Sequence, residues 1–356
     1  MTLKAKAYSA LMAAALLSSW ACQPGNKQEK TMDEKATTTT ASEKNYPVTG
    51  SITRIDVRLD NVIRPDAAIE ILADGFDWAE GPLWLPGQNK LLFSDIPPNS
   101  IYEWSEEGGK KLYLKPSGYT GQVPRGGEPG ANGLILNGRG QLVMCQHGDR
   151  RMARMDAPLD SPKPAFITLA DKYQGQRFNS PNDAVYKSNG DLYFTDPPYG
   201  LEQNADDPAK EIPFQGVYRL GKNGRVYLLT KELSRPNGLA FSPDEKTLYV
   251  ANSDPQQAIW MAYDVNQFGS LTRGRVFYDA TPMVGQDAPG LPDGLKVNRQ
   301  GYLFATGPGG ILVFNQQAEH LGTIKTGHAT SNCAFNEDES ILYNTADDYL
   351  MRVKLK

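Results

Sequence analysis

Six oxygen-bearing side chains recur along the chain, Glu80, Asn132, Asn182, Asn237, Asp293 and Asn332, at intervals of 52, 50, 55, 56 and 39 residues. Each opens a short apolar run beside a small residue, in EGPLW, NGLIL, PNDAVY, PNGLAF, PDGLKV and SNCAF. If equivalent points of the repeat meet in space, Glu80, Asn182, Asn237 and Asp293 form a ring of carboxylate and amide oxygens. Hard divalent cations such as calcium take such ligands at about 2.3 to 2.6 Å, and two carboxylates neutralise a dication. No His or Cys cluster with zinc spacing competes. Asn and Asp also cap strands and build turns, so any one of the four taken alone supports that simpler reading equally.

The elements that must position these residues are strands. A second apolar run follows each opener across a turn rich in Asn, Gly, Asp and Pro: LLFSD, LVMCQH, LYFTD, LYVAN, LFATG and ILYNTA. Such spacing reads as a β-hairpin opening every unit. SIYEW, GVYRL, AIWMAYD and ILVFN supply third strands, and KKLYL, RVYLL and GRVFYD supply fourth strands. Repeats of this size, with few amphipathic helical patterns, predict an all-β fold: a six-bladed β-propeller with four-stranded antiparallel blades. The last unit is one strand short at the C-terminus. Either AIEILA at 68–73 or SITRIDVRL at 51–59 is expected to close the ring from the N-terminal side.

In a propeller the first strand of each blade lines the central channel, so the openers surround one mouth. The second strand returns there, which makes His147, at the end of LVMCQH, a candidate to orient substrate or carry a proton, or simply to bond a loop carbonyl. Asn132 and Asn332 are candidates for contacts just outside the metal ligands. Arg177 is expected to hold a substrate hydroxyl or carboxylate, or to pair with a nearby acid. Tyr199 and Trp78 are candidates to stack on a sugar ring or to pack between blades. His328 lies on the approach to the same mouth, whereas His320 reads as an exposed turn residue and Asp183 as structural, facing the other side of its strand. Cys145 and Cys333 read as two buried thiols. RGGE and GDRRMAR read as solvated loops. With a net charge of -4 and no long Lys/Arg block, the chain lacks the basic face that nucleic acid requires.

The N-terminus reads separately. Lys4 and Lys6 precede AYSALMAAALLSSWA and Cys22, so residues 1–22 resemble a bacterial lipoprotein signal peptide, with Trp20 departing from the small residue usual there. Residues 23–47 read as a flexible polar linker and 48–356 as the propeller. The expectation is an exported periplasmic or outer-membrane protein, touching the membrane only through a lipid anchor and needing no obligate protein partner.

RFNSPNDAV at 177–185, LYFTDPPYG at 192–200, RPNGLAFSPD at 235–244, PDGLKV at 292–297 and TSNCAF at 330–335 occur in an order that resembles the SMP-30/gluconolactonase family of regucalcin-like calcium lactonases. The resemblance runs from about residue 68 to the C-terminus. It implies metal ligands at Glu80 of WAEGP, Asn182 of SPND, Asn237 of RPNG and Asp293 of LPDG, the four that the repeat selects. It also implies one divalent cation, calcium first, with magnesium, manganese and zinc open, and hydrolysis of a sugar lactone with Asp293 as general base. A metal ligand has a depressed pKa, so Asp293 is expected to be a modest base. The same ring resembles that of organophosphate hydrolases and paraoxonase-like lactonases, which leaves an esterase reading open, as it does a non-catalytic sugar binder. Specificity is expected in three loops, at 122–130, 202–215 and 282–290.

Overall fold

The computed structural model describes residues 44–285 and 287–356. The expected signal peptide ending at Cys22 and the linker up to residue 43 lie outside the described residues. Among those described, no helix is long and apolar enough to cross a membrane.

Asn45–Lys356 forms one compact unit of six antiparallel sheets arranged as blades I to VI, beside a two-stranded hairpin at Lys172–Tyr173 and Gln176–Arg177. The innermost strands of blades I to VI are Ala79–Leu85, Ala131–Leu136, Ala184–Tyr186, Pro236–Phe241, Leu295–Val297 and Thr330–Phe335. Both N-terminal segments join the sheets. Ile69–Asp74 pairs with Tyr349–Lys354 and supplies the fourth strand of blade VI, closing the ring. Ser51–Arg54 pairs with His320–Lys325 and adds a fifth strand to blade V. Contact with the propeller starts before residue 48: the Tyr46 hydroxyl donates to Glu106 Oε1 at 3.1 Å, and Pro47 accepts from Ile71 N at 2.8 Å.

The core lies between blades rather than at the centre. One apolar cluster fills each junction, for example Leu92, Ile101, Leu134 and Met144 between blades I and II, and Phe93, Trp104, Tyr343 and Leu350 between VI and I. A second strand such as Lys90–Asp95 therefore faces an apolar neighbour on both sides. That is why LLF reads as a continuous apolar run instead of alternating.

Two expectations change and a third holds. Arg151–Met155, read as part of a loop, is the third strand of blade II, its Arg residues carrying long side chains on a strand that buries Met152, Ala153 and Met155. His320 starts the fourth strand of blade V and is partly buried, with Nε2 2.9 Å from Thr323 Oγ1 and the ring 5.2 Å from Phe314. The short HLGTIK run, interrupted by Gly322, gave little strand signal. Cys145 and Cys333 are buried free thiols, as expected, and burial pushes Cys333 up to about 12.

Candidate metal centre and active site

The first strands do not run regularly past the openers. The pairing register slips between Glu80 and Leu83, Ala131 and Leu134, and Pro236 and Leu239, so two residues of the inner strand oppose one of its partner. In blade III the equivalent bulge appears in the hydrogen bonds: Asn182 N donates to Thr195 O, while Thr195 N donates to Asp183 O. A bulge re-aims side chains locally, here toward the channel. It also breaks the period of two on which the reading of Asp183 depended. Asp183 is buried, with Oδ1 accepting from Ala184 N at 2.8 Å and Oδ2 without a partner. Its charge acts on both Glu80 and Asp293, yet its side chain lines a separate cavity of about 340 Å³ with Leu134, Leu239, Lys296 and Phe335, which none of Glu80, Asn182, Asn237 and Asp293 lines.

Small residues beside the openers let neighbouring blades approach. A Cβ on Gly238 would lie 2.3 Å from the Asp293 carbonyl oxygen, and one on Gly81 would lie 2.2 Å from that of Asn132. Hydrogen bonds then tie blade to blade around the mouth: Ser94 Oγ to Asn132 O, Gly133 N to Asn182 O, Gly294 N to Ser331 O and Ser331 Oγ to Ala79 O. Gly238→Ala should force the strand carrying Asp293 to move. We expect a loss of about 1–3 kcal/mol of stability in urea unfolding, and, since a 1 Å misplacement costs about a hundredfold, a comparable fall in kcat/KM. Unchanged kcat/KM would show that the ring tolerates the shift.

Glu80, Asn132, Asn182 and Asn237 are all buried, and Asp293 is partly buried. Glu80 Oε2 accepts from Gly81 N at 2.7 Å and from Asn332 Nδ2 at 3.2 Å, which places Asn332 as the residue that orients Glu80. Asn132 Oδ1, Asn182 Oδ1 and Asp293 Oδ1 are buried without any hydrogen-bond partner. The Glu80 and Asp293 carboxyls are within hydrogen-bonding reach of each other. Burial, followed by the charge of Asp183, holds Glu80 up at about 7 against the bond from Gly81. Burial, then the charges of Glu80, Glu128 and Asp183, lifts Asp293 well above the usual carboxylate range, the reverse of the depression expected for a metal ligand. Orphaned oxygens beside two mutually repelling carboxyls are the surroundings that a hard divalent cation satisfies, and the donor set fits one.

Around this ring the second strands end in anchors. Asp95 Oδ1 accepts from Asp77 N and Trp78 N, Asp196 from Asn179 N and Ser180 N, and Asn252 Oδ1 from Arg235 N. Each fixes the backbone two or three residues before Glu80, Asn182 or Asn237. Burial pushes Asp196 up to about 7, from about 3.9 in the unfolded chain. The folded state therefore binds the extra proton, and the stability Asp196 contributes declines as pH rises from about 4 through about 7. In Asp196→Asn, thermal unfolding between pH 5 and 8 should show a shallower decline than in wild type; an equal slope would mean that the two N–H bonds keep Asp196 ionised.

The other expected contacts divide. The Tyr199 hydroxyl donates to Ser253 O at 3.4 Å, and burial raises its pKa, as does the charge of Asp293, so Tyr199 lies at the mouth. Trp78 lines a cavity of about 400 Å³ that Asp293 also lines, walled by Pro255, Val284, Leu291 and Thr330. The expected specificity loop at 282–290 thus forms one wall. His147 is fully buried, both ring nitrogens lack hydrogen-bond partners, and Nδ1 lies 3.2 Å from Glu128 Oε2. Arg177 is turned to the neighbouring loop, donating from Nη2 to Asp149 O at 3.0 Å. His328 packs on Tyr349 at 4.6 Å and sits 4.0 Å from Asp347, forming with Asp347 and Asp348 a cluster of its own. The sequence reading placed specificity in the 122–130 loop but did not single out Glu128. It sits in a loop of Gly and Pro where no period marks a functional position.

The model of the SMP-30/Gluconolactonase/LRE-like region matches residues 78–347. A gluconolactonase from Zymomonas mobilis is 39% identical over 312 residues, 86% of each chain. A gluconolactonase structure from Xanthomonas campestris superposes with a TM-score of 0.74 at 30% identity, covering 88% of this chain and 98% of that one. A calcium-binding regucalcin from Agrobacterium tumefaciens, at 19% identity and TM-score 0.63 over 80% of this chain and 94% of its own, shares the fold. Matched over the span that carries every ring residue, the chain belongs to the SMP-30/gluconolactonase/LRE-like family.

Proposed function

We propose that the protein is a divalent-cation-dependent lactonase that opens a sugar lactone, with Glu80, Asn182, Asn237 and Asp293 holding the ion. The observation that carries this reading is the set of buried, partnerless oxygens on Asn132, Asn182 and Asp293 beside the Glu80 carboxyl. Family membership and the 39% identical gluconolactonase support the substrate class, and the calcium-binding regucalcin fold supports calcium as the first ion to test. When bound, a divalent ion supplies Lewis-acid polarisation of the lactone carbonyl and offsets the developing oxyanion charge.

The residues provide the rest. The Asp293 carboxylate takes a proton from the attacking water as the water oxygen bonds to the carbonyl carbon. The same Asp293 returns that proton to the ring oxygen when the acyl C–O bond breaks, leaving one hydroxy acid and no net proton. Burial raises its basicity in the ion-free protein, and a bound cation acts in the opposite direction. Asn132 Oδ1 is free to accept a hydrogen bond from the attacking water or a substrate hydroxyl, and Trp78 offers a face for the lactone ring. Tyr199, held neutral, directs its one hydroxyl proton to Ser253 O, which leaves its oxygen as an acceptor. Arg177 and His328, expected to contact substrate, are engaged with Asp149 O and with Tyr349 and Asp347 and are given no role in the reaction.

The test is hydrolysis of a panel of aldonolactones by protein lacking the first 26 residues, after chelation and again with calcium, magnesium, manganese or zinc. Rate that vanishes with chelator and returns with one ion supports the reading; activity confined to simple esters or phosphoesters selects the esterase alternative. For localisation, we propose lipidation at Cys22 of the exported chain, on the sequence of residues 1–22 alone. Incorporation of labelled palmitate that persists in Cys22→Ser would refute it.

A further inference from the structure

We infer that Glu128 is the residue that selects for hydroxylated lactones, with its carboxylate accepting hydrogen bonds from adjacent substrate hydroxyls and His147 holding it in place. This deepens the lactonase reading and rests on it. Four observations lead there.

Glu128 lies in the 122–130 loop, yet that loop is fixed at both ends of the acid. On one side the Arg125 guanidinium donates from Nη1 to Gly148 O at 2.8 Å and from Nη2 to Gly200 O, and lies 5.6 Å from the Tyr119 ring centroid. On the other, Gly130 N donates to Ile96 O at 3.0 Å. Gly148 and Gly200 directly follow His147 and Tyr199, so the arginine pins the loop to the segments that carry those two residues.

The carboxylate also faces inward electrically. Its charge acts on Glu80, Asp293 and Tyr199, which come from blades I, V and III. Its side chain remains 35% exposed, so at least one oxygen is open to a ligand.

His147 explains the orientation. It is wholly buried and so does not itself touch solvent or substrate, and it has no other partner for either ring nitrogen. With Nδ1 3.2 Å from Glu128 Oε2, a small ring rotation completes an N–H to carboxylate bond, leaving Oε1 for the substrate. His147 is therefore a positioning residue.

A carboxylate has acceptors only, and a buried-edge acid next to two ring carboxyls gains nothing from an anionic or apolar group. Its complement is a donor-rich neutral ligand, and the vicinal hydroxyls of an aldonolactone are that. The cavity lined by Trp78, Val284 and Leu291 has Asp293, already assigned to the ion and the reacting water, as its one carboxylate side chain among the described residues. Hydroxyl recognition thus falls on the Glu128 side of the mouth.

The test compares glucono-δ-lactone with δ-valerolactone, which has the same ring and no hydroxyls, in wild type, Glu128→Gln, His147→Gln and the double variant, all at saturating ion. Glu128→Gln should lower the ratio of kcat/KM for the two lactones by at least about tenfold, as loss of a charged hydrogen bond predicts, through KM. His147→Gln should lower it in the same direction, and the double variant should be no worse than Glu128→Gln alone. A ratio within twofold of wild type in Glu128→Gln overturns the inference, as does an equal loss on both substrates. Binding of 1,5-anhydroglucitol, which has the hydroxyls but no carbonyl, is measured calorimetrically on the same proteins. If wild type hydrolyses neither lactone, the lactonase reading fails; tenfold weaker 1,5-anhydroglucitol binding in Glu128→Gln would then still support Glu128 as a hydroxyl acceptor, and equal or absent binding would overturn it.

Discussion

Asp293→Asn should lower kcat on an aldonolactone by about a thousandfold at saturating divalent ion, within the range that loss of a general base costs. The substitution keeps the shape of the side chain and an oxygen for the ion, so the ring should still assemble. It removes the lone pair that accepts the proton. Two effects must be separated, because the same change replaces one of the ring's two carboxylates and weakens ion affinity. Titrating calcium while following the fluorescence of Trp78, which lines the cavity beside Asp293, gives the affinity; kcat is then measured well above that concentration. A variant that binds calcium at saturation and turns over within tenfold of wild type would remove Asp293 as base while leaving it as ligand. The converse, wild-type affinity with abolished turnover, would assign it wholly to proton transfer.

The architecture was legible because the repeat carries it twice, once in the openers and again in the second apolar runs. Antiparallel hairpins at steady intervals leave few alternatives, and the four ring residues follow from the rule that first strands line the channel. What the sequence hid has physical causes. The bulge at Asn182 and Asp183 was not legible because alternation assumes a regular strand. Asp196 and Asn252 end second strands, and their side chains turn back and hold the segment before the opener, an assignment that needs donors not adjacent in sequence. His147 was found at the right mouth by counting from Asn132, but its complete burial, and hence the importance of Glu128, depends on a loop whose path no local rule specifies. The pKa direction at Asp293 differed because the expectation included a bound ion, whereas the protein alone gathers negative charge around a buried carboxyl. That gathering is itself informative, since a scaffold without a cation to hold gains nothing from it.

Glu80→Gln tests this last point through opposite signs in two conditions. In chelator, wild type must keep two buried carboxyls in contact, with Asp183 and Glu128 adding to the repulsion, and burial lifts Glu80 to about 7. A folded pKa above the unfolded value of about 4.3 means that Glu80 costs stability increasingly as pH rises from about 4 through about 7, and the cost is fully present above that. Glutamine removes it. Its carbonyl oxygen can still accept from Gly81 N and Asn332 Nδ2, and its amide can donate to Asp293. At pH 8 in chelator, Glu80→Gln should therefore be more stable than wild type, by on the order of 2 kcal/mol, which corresponds to a few degrees in unfolding temperature. In calcium the order should reverse. Ion at a hundred times its dissociation constant stabilises wild type by about 2.7 kcal/mol, whereas a ring with a single carboxylate binds too weakly to gain as much. Crossing of the two stability curves between chelator and calcium is the expected result. If Glu80→Gln is the less stable protein in both conditions, the Glu80 carboxyl serves the fold through its bonds to Gly81 and Asn332, and the ring is not a cation site held under electrostatic stress.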